Sequence, residues 1–174
     1  HAQAFTEGMK AAKVLTTAKH FPGLGAVTGN TDISAGVRDD QTNSNSESVQ
    51  IFKDLISSGT PSIMTATAIY DKIPGAFSSK MVDGLLRKQL GFDGLVITDD
   101  LSNAVQVQSW TPGQRAVLAL SAGNDLVLAN EPTQIPEMIS EVLQKVKADP
   151  DFAKKISQSA TRVIKVKEEM KLVE

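Results

Sequence analysis

The chain has no cysteine, one tryptophan, one tyrosine and two histidines in 174 residues. Without Cys there is no disulfide framework, no thiolate metal site and no cysteine nucleophile. Two histidines do not make a His-rich metal centre. No apolar run approaches the ~20 residues that a membrane-spanning helix needs. Charge of one sign is also missing: 18 Lys and Arg face 20 Asp and Glu, a net charge of −2. That balance excludes a general electrostatic footprint for nucleic acid. What is present is 41% apolar residues, 12 Gly and 7 Pro, the composition of a globular domain able to bury a core. The opening His1-Ala2-Gln3 reads as the interior of a helix and shows no signal-peptide pattern, so the sequence names no compartment.

Apolar spacing divides the chain into alternating strands and helices. Ala2 to Ala12 reads as a helix, with Phe5 and Met9 on one face. Val14 to Ala18 is a short β-branched run that leads into Lys19-His20-Phe21-Pro22-Gly23-Leu24-Gly25. A polar stretch from Ala26 to Asn45 follows without any period, and aperiodic loops of ~20 residues are usually functional or mobile. Ser44 and Glu47 have capping-box spacing before a helix bearing Val49, Phe52, Leu55 and Ile56, closed by Gly59. Pro61 to Ala66 reads as a strand. A helix capped at Ser78 or Ser79 carries Met81, Val82, Leu85, Leu86 and Leu90. Gly94 to Thr98 is the third strand, with Asp99 and Asp100 at its end. Thr111-Pro112 starts a helix, Asp125 to Ala129 forms a fourth strand, and Thr133 opens a helix with Ile135, Met138, Ile139, Val142, Leu143 and Val146 on one stripe. Asp149-Pro150 begins the last helix. Short apolar strands alternating with helices imply an α/β fold around a parallel sheet buried on both faces.

In parallel α/β folds the reacting groups gather at the carboxyl ends of the strands. Here those ends carry Lys19-His20, Thr65 to Tyr70, Asp99-Asp100 and Asn130-Glu131. Taken singly, each has a plainer reading. Asp after a strand favours caps and turns, and Lys19-His20 reads equally well as a solvated rim pair. Gly23, Gly25 and Gly29 suggest a phosphate-cradling loop only weakly, because no helix follows at once. The lysines of the last helix alternate with Glu168 and Glu169, as on a solvated face.

The combination is more specific. Lys19-His20-Phe21-Pro22-Gly23-Leu24-Gly25 resembles the Lys-His-Phe-Pro-Gly-His-Gly motif of glycoside hydrolase family 3, in its bacterial β-N-acetylglucosaminidase-like branch. Ile63-Met64-Thr65-Ala66 is similar to the family's next strand. Leu90 to Ser102, with Gly94-Leu95-Val96-Ile97-Thr98-Asp99-Asp100 at its centre, resembles its most diagnostic segment, and Ala122 to Leu128 resembles its last barrel strand. The resemblance runs from Ala2 to Glu174. It implies parallel (β/α) units matching strands five to eight, the second half of a TIM (β/α)8 barrel, as a single partial domain over residues 1–174 with a C-terminal helix over 150–174.

The resemblance also implies a glycoside hydrolase that cleaves β-linked N-acetylhexosamine or related β-glycosides by a retaining mechanism. Asp99 occupies the nucleophile's place, and Lys19, His20 and Asp100 lie where the sugar is held. A retaining glycosidase needs an ionised carboxylate at the anomeric carbon and a second group that protonates the leaving oxygen. Lys19 is a candidate for keeping Asp99 ionised. The family's loop after the Lys-His motif carries an Asp-x-His dyad whose His is the acid/base; here those positions are Asn30-Thr31-Asp32. The motif's second His is Leu24, and the His of the following strand is Thr67. Asp32, if buried under its loop, becomes the candidate acid, with Asp39 and Asp40 weaker choices. The alternative is a sugar-binding member with weak or no turnover; a small nucleotide-binding domain is a more distant one. No metal or organic cofactor is implied. The partners implied are a saccharide and either the other half of the barrel or a second copy, because four βα units leave two open sheet edges.

Overall fold

A computed structural model describes residues 1–173. The helix α1 (Ala2–Ala11) precedes β1 (Thr17–Phe21). A long loop containing β2 (Arg38–Asp39) leads to α2 (Glu47–Ser57) and β3 (Ser62–Thr65). Two short strands, β4 (Ile69–Tyr70) and β5 (Ile73–Pro74), come before a helix over Lys80–Gln89. Then follow β6 (Leu95–Asp100), α3 (Pro112–Ala122), β7 (Leu126–Leu128), α4 (Ile135–Ala148) and α5 (Pro150–Glu169). The main sheet has the order β1-β3-β6-β7 and every pairing in it is parallel. For the main sheet and its helices this is the succession that the apolar spacing predicts.

The strand register sorts the residues onto two faces. Ala18, Ile63 and Val96 are paired across β1, β3 and β6, and Ile63 and Val96 are fully buried with Phe21, Val49, Phe52, Val82, Leu85 and Leu86. This face lies under α2 and the Lys80–Gln89 helix. Met64, Ile97 and Leu126 are paired one step along and are only half-buried. The expectation of a sheet buried on both faces is therefore corrected. Short apolar runs look alike whether one face or both are covered, and here helices cover one. A second core of Phe77, Leu101, Ala104, Val107, Ala116, Ala119 and Met138 joins α3 and α4 to the segment after β6.

Several element ends differ from the sequence reading. The first strand begins at Thr17 rather than Val14, and Val14 and Leu15 remain exposed. The N-cap of α2 is Ser46 and not Ser44, and the Ser46 hydroxyl accepts from the Asn43 amide (2.9 Å) instead of capping the helix. The Lys80–Gln89 helix is wound in the wide i→i+5 pattern, as in Gly84 N–H to Ser79 O (2.9 Å). Thr133 sits in a single 3-10 turn over Pro132–Gln134, and α4 starts after it. The start of α3 agrees: Thr111 Oγ1 accepts from the Gln114 amide and Gln114 Oε1 accepts from the Thr111 amide, a reciprocal capping box. Its end is set by Gly123 in the left-handed region (φ 112°), which favours Gly.

The polar stretch over 26–45 is an ordered loop. β2 pairs in parallel with β4, and β4 pairs antiparallel with β5, so a small second sheet holds the loop against the segment after β3. Sequence periodicity cannot detect two-residue strands. No helix among the described residues is long and apolar enough to cross a membrane.

Candidate active site

The carboxyl ends of β1, β3, β6 and β7 meet on one rim. β6 places Asp99 on the same face as Ile97, the half-open one, because side chains alternate along a strand. Asp99 Oδ1 accepts from the amide of Asp100 (2.9 Å), which leaves Oδ2 directed elsewhere. His20 Nε2 lies 3.5 Å from that Oδ2. The two residues sit on strands separated by β3, and a register shift between Ala18 and Phe21 in β1 accompanies the reach of His20. Burial is the largest influence on the His20 imidazole and pushes its pKa below the ordinary value of 6.5. The negative charges of Asp99 and Asp32 oppose that shift and the charge of Lys19 adds to it. At neutral pH the His20–Asp99 contact is therefore one between a neutral imidazole and a carboxylate rather than an ion pair.

Asp100 points the other way and is almost fully buried. Its Oδ1 accepts from the Ser102 amide (2.9 Å), the Ser102 hydroxyl (2.6 Å) and the Asn130 amide (3.1 Å), and its Oδ2 accepts from the Asn103 amide (2.9 Å). Burial alone would raise this carboxyl, but the hydrogen bonds outweigh it and hold the pKa below the usual carboxylate value. The Ser102 hydroxyl accepts in turn from the Glu131 amide (3.0 Å). Asp100 thus binds the end of β6 to the end of β7.

Asp32, Asp99, Asp100, Asn103, Ala104 and Asn130 line a pocket of ≈ 270 Å³. Three of the carboxylates singled out in the sequence are thereby brought together. The burial expected for Asp32 is not found: it lines the pocket, but its side chain is exposed. The Asp32 amide donates to Asn30 Oδ1 (2.8 Å), so Asn30 shapes the turn that presents Asp32. The weaker choices lie elsewhere. Asp39 is committed to the Gln41 and Thr42 amides and the Thr42 hydroxyl, and Asp40 forms a bidentate pair with Arg38. Lys19 is exposed on edge strand β1, and no carboxylate among the described residues lies within 4.0 Å of it.

Sequence reasoning missed the residues that hold this rim in shape. Arg115, buried on α3, donates to the carbonyls of Trp110 (2.8 Å), Leu101 (2.6 Å) and Ser102 (3.1 Å) and to Gln108 Oε1 (2.9 Å). One guanidinium thus fixes most of the segment after the Asp pair. An Arg amid the apolar positions of α3 was the available signal. Thr67, at the position of the family's His, is buried and its hydroxyl has no protein partner.

The chain is similar to known proteins in sequence and in fold. Residues 1–166 match the model of the glycosyl hydrolase family 3 N-terminal domain. A β-hexosaminidase of Methylobacillus flagellatus is 34% identical over 147 residues, which are 82% of this chain and 42% of that protein. A β-hexosaminidase of Vibrio cholerae is 36% identical over 132 residues, 74% of this chain and 39% of that one. The crystal structure of a β-N-acetylhexosaminidase from Beutenbergia cavernae superposes with a TM-score of 0.93 at 49% identity, covering 97% of this chain and 51% of the other. The chain therefore spans about half, or less, of the length of these relatives, and its α/β fold is that of part of their barrel. By the family match and by these identities, the chain belongs to glycosyl hydrolase family 3.

Proposed function

We propose that this chain carries the nucleophile-bearing half of a retaining glycoside hydrolase that acts on β-linked N-acetylhexosamine or a related β-glycoside. The observation that carries this reading is the placement of Asp99. It stands at the carboxyl end of a central strand, on the half-open face, 3.5 Å from His20, in a pocket shared with Asp32. The names of the relatives supply the sugar class.

The chemistry proceeds in two displacements. Asp99 Oδ2 attacks the anomeric carbon while the glycosidic C–O bond breaks, and Asp32 gives its proton to the departing oxygen. A covalent glycosyl ester on Asp99 and a free alcohol result. Water then attacks the anomeric carbon, Asp32 takes its proton, and the ester bond to Asp99 breaks with retention of configuration. The first step needs Asp32 to hold a proton within reach of the departing oxygen. His20 and Lys19 hold sugar hydroxyls, His20 as a neutral donor. Asp100, fully engaged with backbone amides and the Ser102 hydroxyl, keeps the rim in shape.

Incubation with a 5-fluoro glycoside followed by peptide mass mapping tests the reading, with an adduct on Asp99 as the expected result. Full activity of an Asp99→Asn variant would falsify it. A second reading, a sugar-binding member with little turnover, is favoured by the exposure of Asp32. Calorimetric binding of N-acetylglucosamine without hydrolysis, together with turnover restored in Asp32→His, is the result that would select it.

A further inference from the structure

The loop that carries Asp32 is held by a side chain from the segment after β6. Gln106 is almost fully buried, and its amide group meets the backbone of Val37 on both sides. The Val37 amide donates to Gln106 Oε1 (3.0 Å), and Gln106 Nε2 donates to the Val37 carbonyl (3.0 Å). The Gln106 backbone amide donates to the Thr31 carbonyl (3.0 Å), and the Val105 amide donates to the Asp32 carbonyl (3.1 Å). The loop is thus tied down at Thr31-Asp32 and again at Val37; in the intervening turn the Ile33 and Ser34 amides donate to the Asn30 carbonyl, and the Ile33 side chain is exposed. Val37 is anchored further by the Ile69 amide on its carbonyl (2.9 Å) and by Ala66, Ala68 and Tyr70 in a small apolar cluster.

The four bonds to Thr31, Asp32 and Val37 all come from Val105 and Gln106, a short way along the chain from Asp99. The segment that leaves the nucleophile therefore also fixes the loop bearing the acid. A side-chain amide that satisfies both the donor and the acceptor of one backbone residue leaves neither group for water, and breaking such a buried pair leaves polar atoms unmatched. We propose that Gln106 is a positioning residue that sets Asp32 at a fixed place relative to Asp99. This rests on the reading of Asp32 as the acid.

The test compares Gln106→Met, which keeps length and removes both bonds, with Gln106→Glu, which keeps the acceptor alone, and with Asp32→Ala. Each is made in the longest form in which the chain is expressed. Amide hydrogen exchange across residues 31–38 is expected to quicken by about ten- to hundredfold in Gln106→Met and at least as much in Gln106→Glu, where a buried carboxylate oxygen faces the Val37 carbonyl, with β3 and β6 unchanged. Hydrolysis is then measured on two aryl β-N-acetylglucosaminides. The dinitrophenyl group departs without a proton, and the unsubstituted phenyl group needs one. Asp32→Ala is expected to lose the phenyl substrate by about 10²–10⁴-fold and the dinitrophenyl substrate far less. Gln106→Met is expected to follow the same pattern, by about ten- to hundredfold on the phenyl substrate, with KM little changed.

Equal losses on both substrates in Gln106→Met, or unchanged exchange at residues 31–38, overturn the positioning role while Asp32→Ala still shows its leaving-group dependence. If Asp32→Ala shows no such dependence, the acid assignment itself falls and the role of Gln106 with it, a result distinct from the former. If Gln106→Met does not fold, Gln106→Glu supplies the same two measurements, and the same results support or overturn the role.

Discussion

His20 and Asp100 show how one rim gives two ionisable side chains opposite duties. His20 is half-buried with carboxylates nearby, and burial dominates, so the neutral imidazole is the stable form. Its folded pKa lies below the unfolded value near 6.5, so the unfolded chain binds the proton more readily in the window between them. The stability associated with neutral His20 is present above pH 6.5 and is lost as pH falls through the folded value. Asp39 and Asp100 have depressed pKa values, since hydrogen bonds outweigh the burial that would raise them. Their contribution is present above about pH 4 and is lost at lower pH. Denaturation midpoints measured from about pH 7 to about pH 3 are expected to fall in two stages, the first assignable to His20 by its NMR titration. A His20 titration that moves upward in Asp99→Asn would count against the contact, because removing a nearby negative charge lowers an imidazole pKa. Asp99→Asn itself is expected to reduce turnover of a phenyl β-glycoside by more than about 10³-fold.

Individual elements are held by a few buried polar contacts as much as by apolar faces. Asp125, just before β7, has a fully buried side chain. Its Oδ2 accepts from Arg87 (2.6 Å) and from the Val96 amide (2.9 Å), and its Oδ1 accepts from Arg162 (2.8 Å). Arg87 also donates to the carbonyls of Phe92 and Gly94, so one carboxylate ties β6, the Lys80–Gln89 helix and α5 together. Asp125→Ala removes a fully buried carboxylate and leaves the partly buried Arg87 without its anion, and urea unfolding is expected to record a loss of about 3–5 kcal/mol. Thr111→Ala removes one half of the capping box of α3, an exposed contact, with an expected cost of about 1 kcal/mol. A loss at Asp125 no larger than that at Thr111 would show that the cluster does not join these elements. The α3 cap was legible in Thr111-Pro112 because capping is a local backbone effect. The Asp125 cluster was not, since its partners lie far apart in sequence and only the packed fold makes them neighbours.

At the scale of the whole molecule, both sheet edges are uncovered. β1 and β7 each have a neighbour on one side only. Beside β1 a groove of ≈ 770 Å³ runs between α1 and α2, lined by Phe5, Met9, Leu15, Ile51 and Leu55. Beyond β7, the α4 stripe is only partly used: Met138 is buried, but Ile139 and Leu143 are each more than half exposed. Exposed apolar residues along free strand edges favour association. We propose that these two flanks receive either further βα units or a second copy of the chain. On its own the chain is expected to self-associate, which light scattering after size exclusion would detect as a mass above the 18.6 kDa of one copy. A stable, active monomer would overturn that expectation.

The order of strands and helices, the parallel class of the sheet, Asp99 at a strand end and the family were all legible in the amino-acid sequence. These depend on local periodicity, capping and a contiguous motif, and such signals survive without three dimensions. Tertiary structure alone decided which sheet face stayed open, that Asp99 stands on that face while the carboxylate of its neighbour Asp100 is taken up by backbone amides and the Ser102 hydroxyl, and that Asp32 stands exposed. The same holds for the grip of Gln106 on Val37, 69 residues away in sequence. Contacts at such separations come from strand register and loop docking, and a linear pattern of residue types does not encode the distances they set.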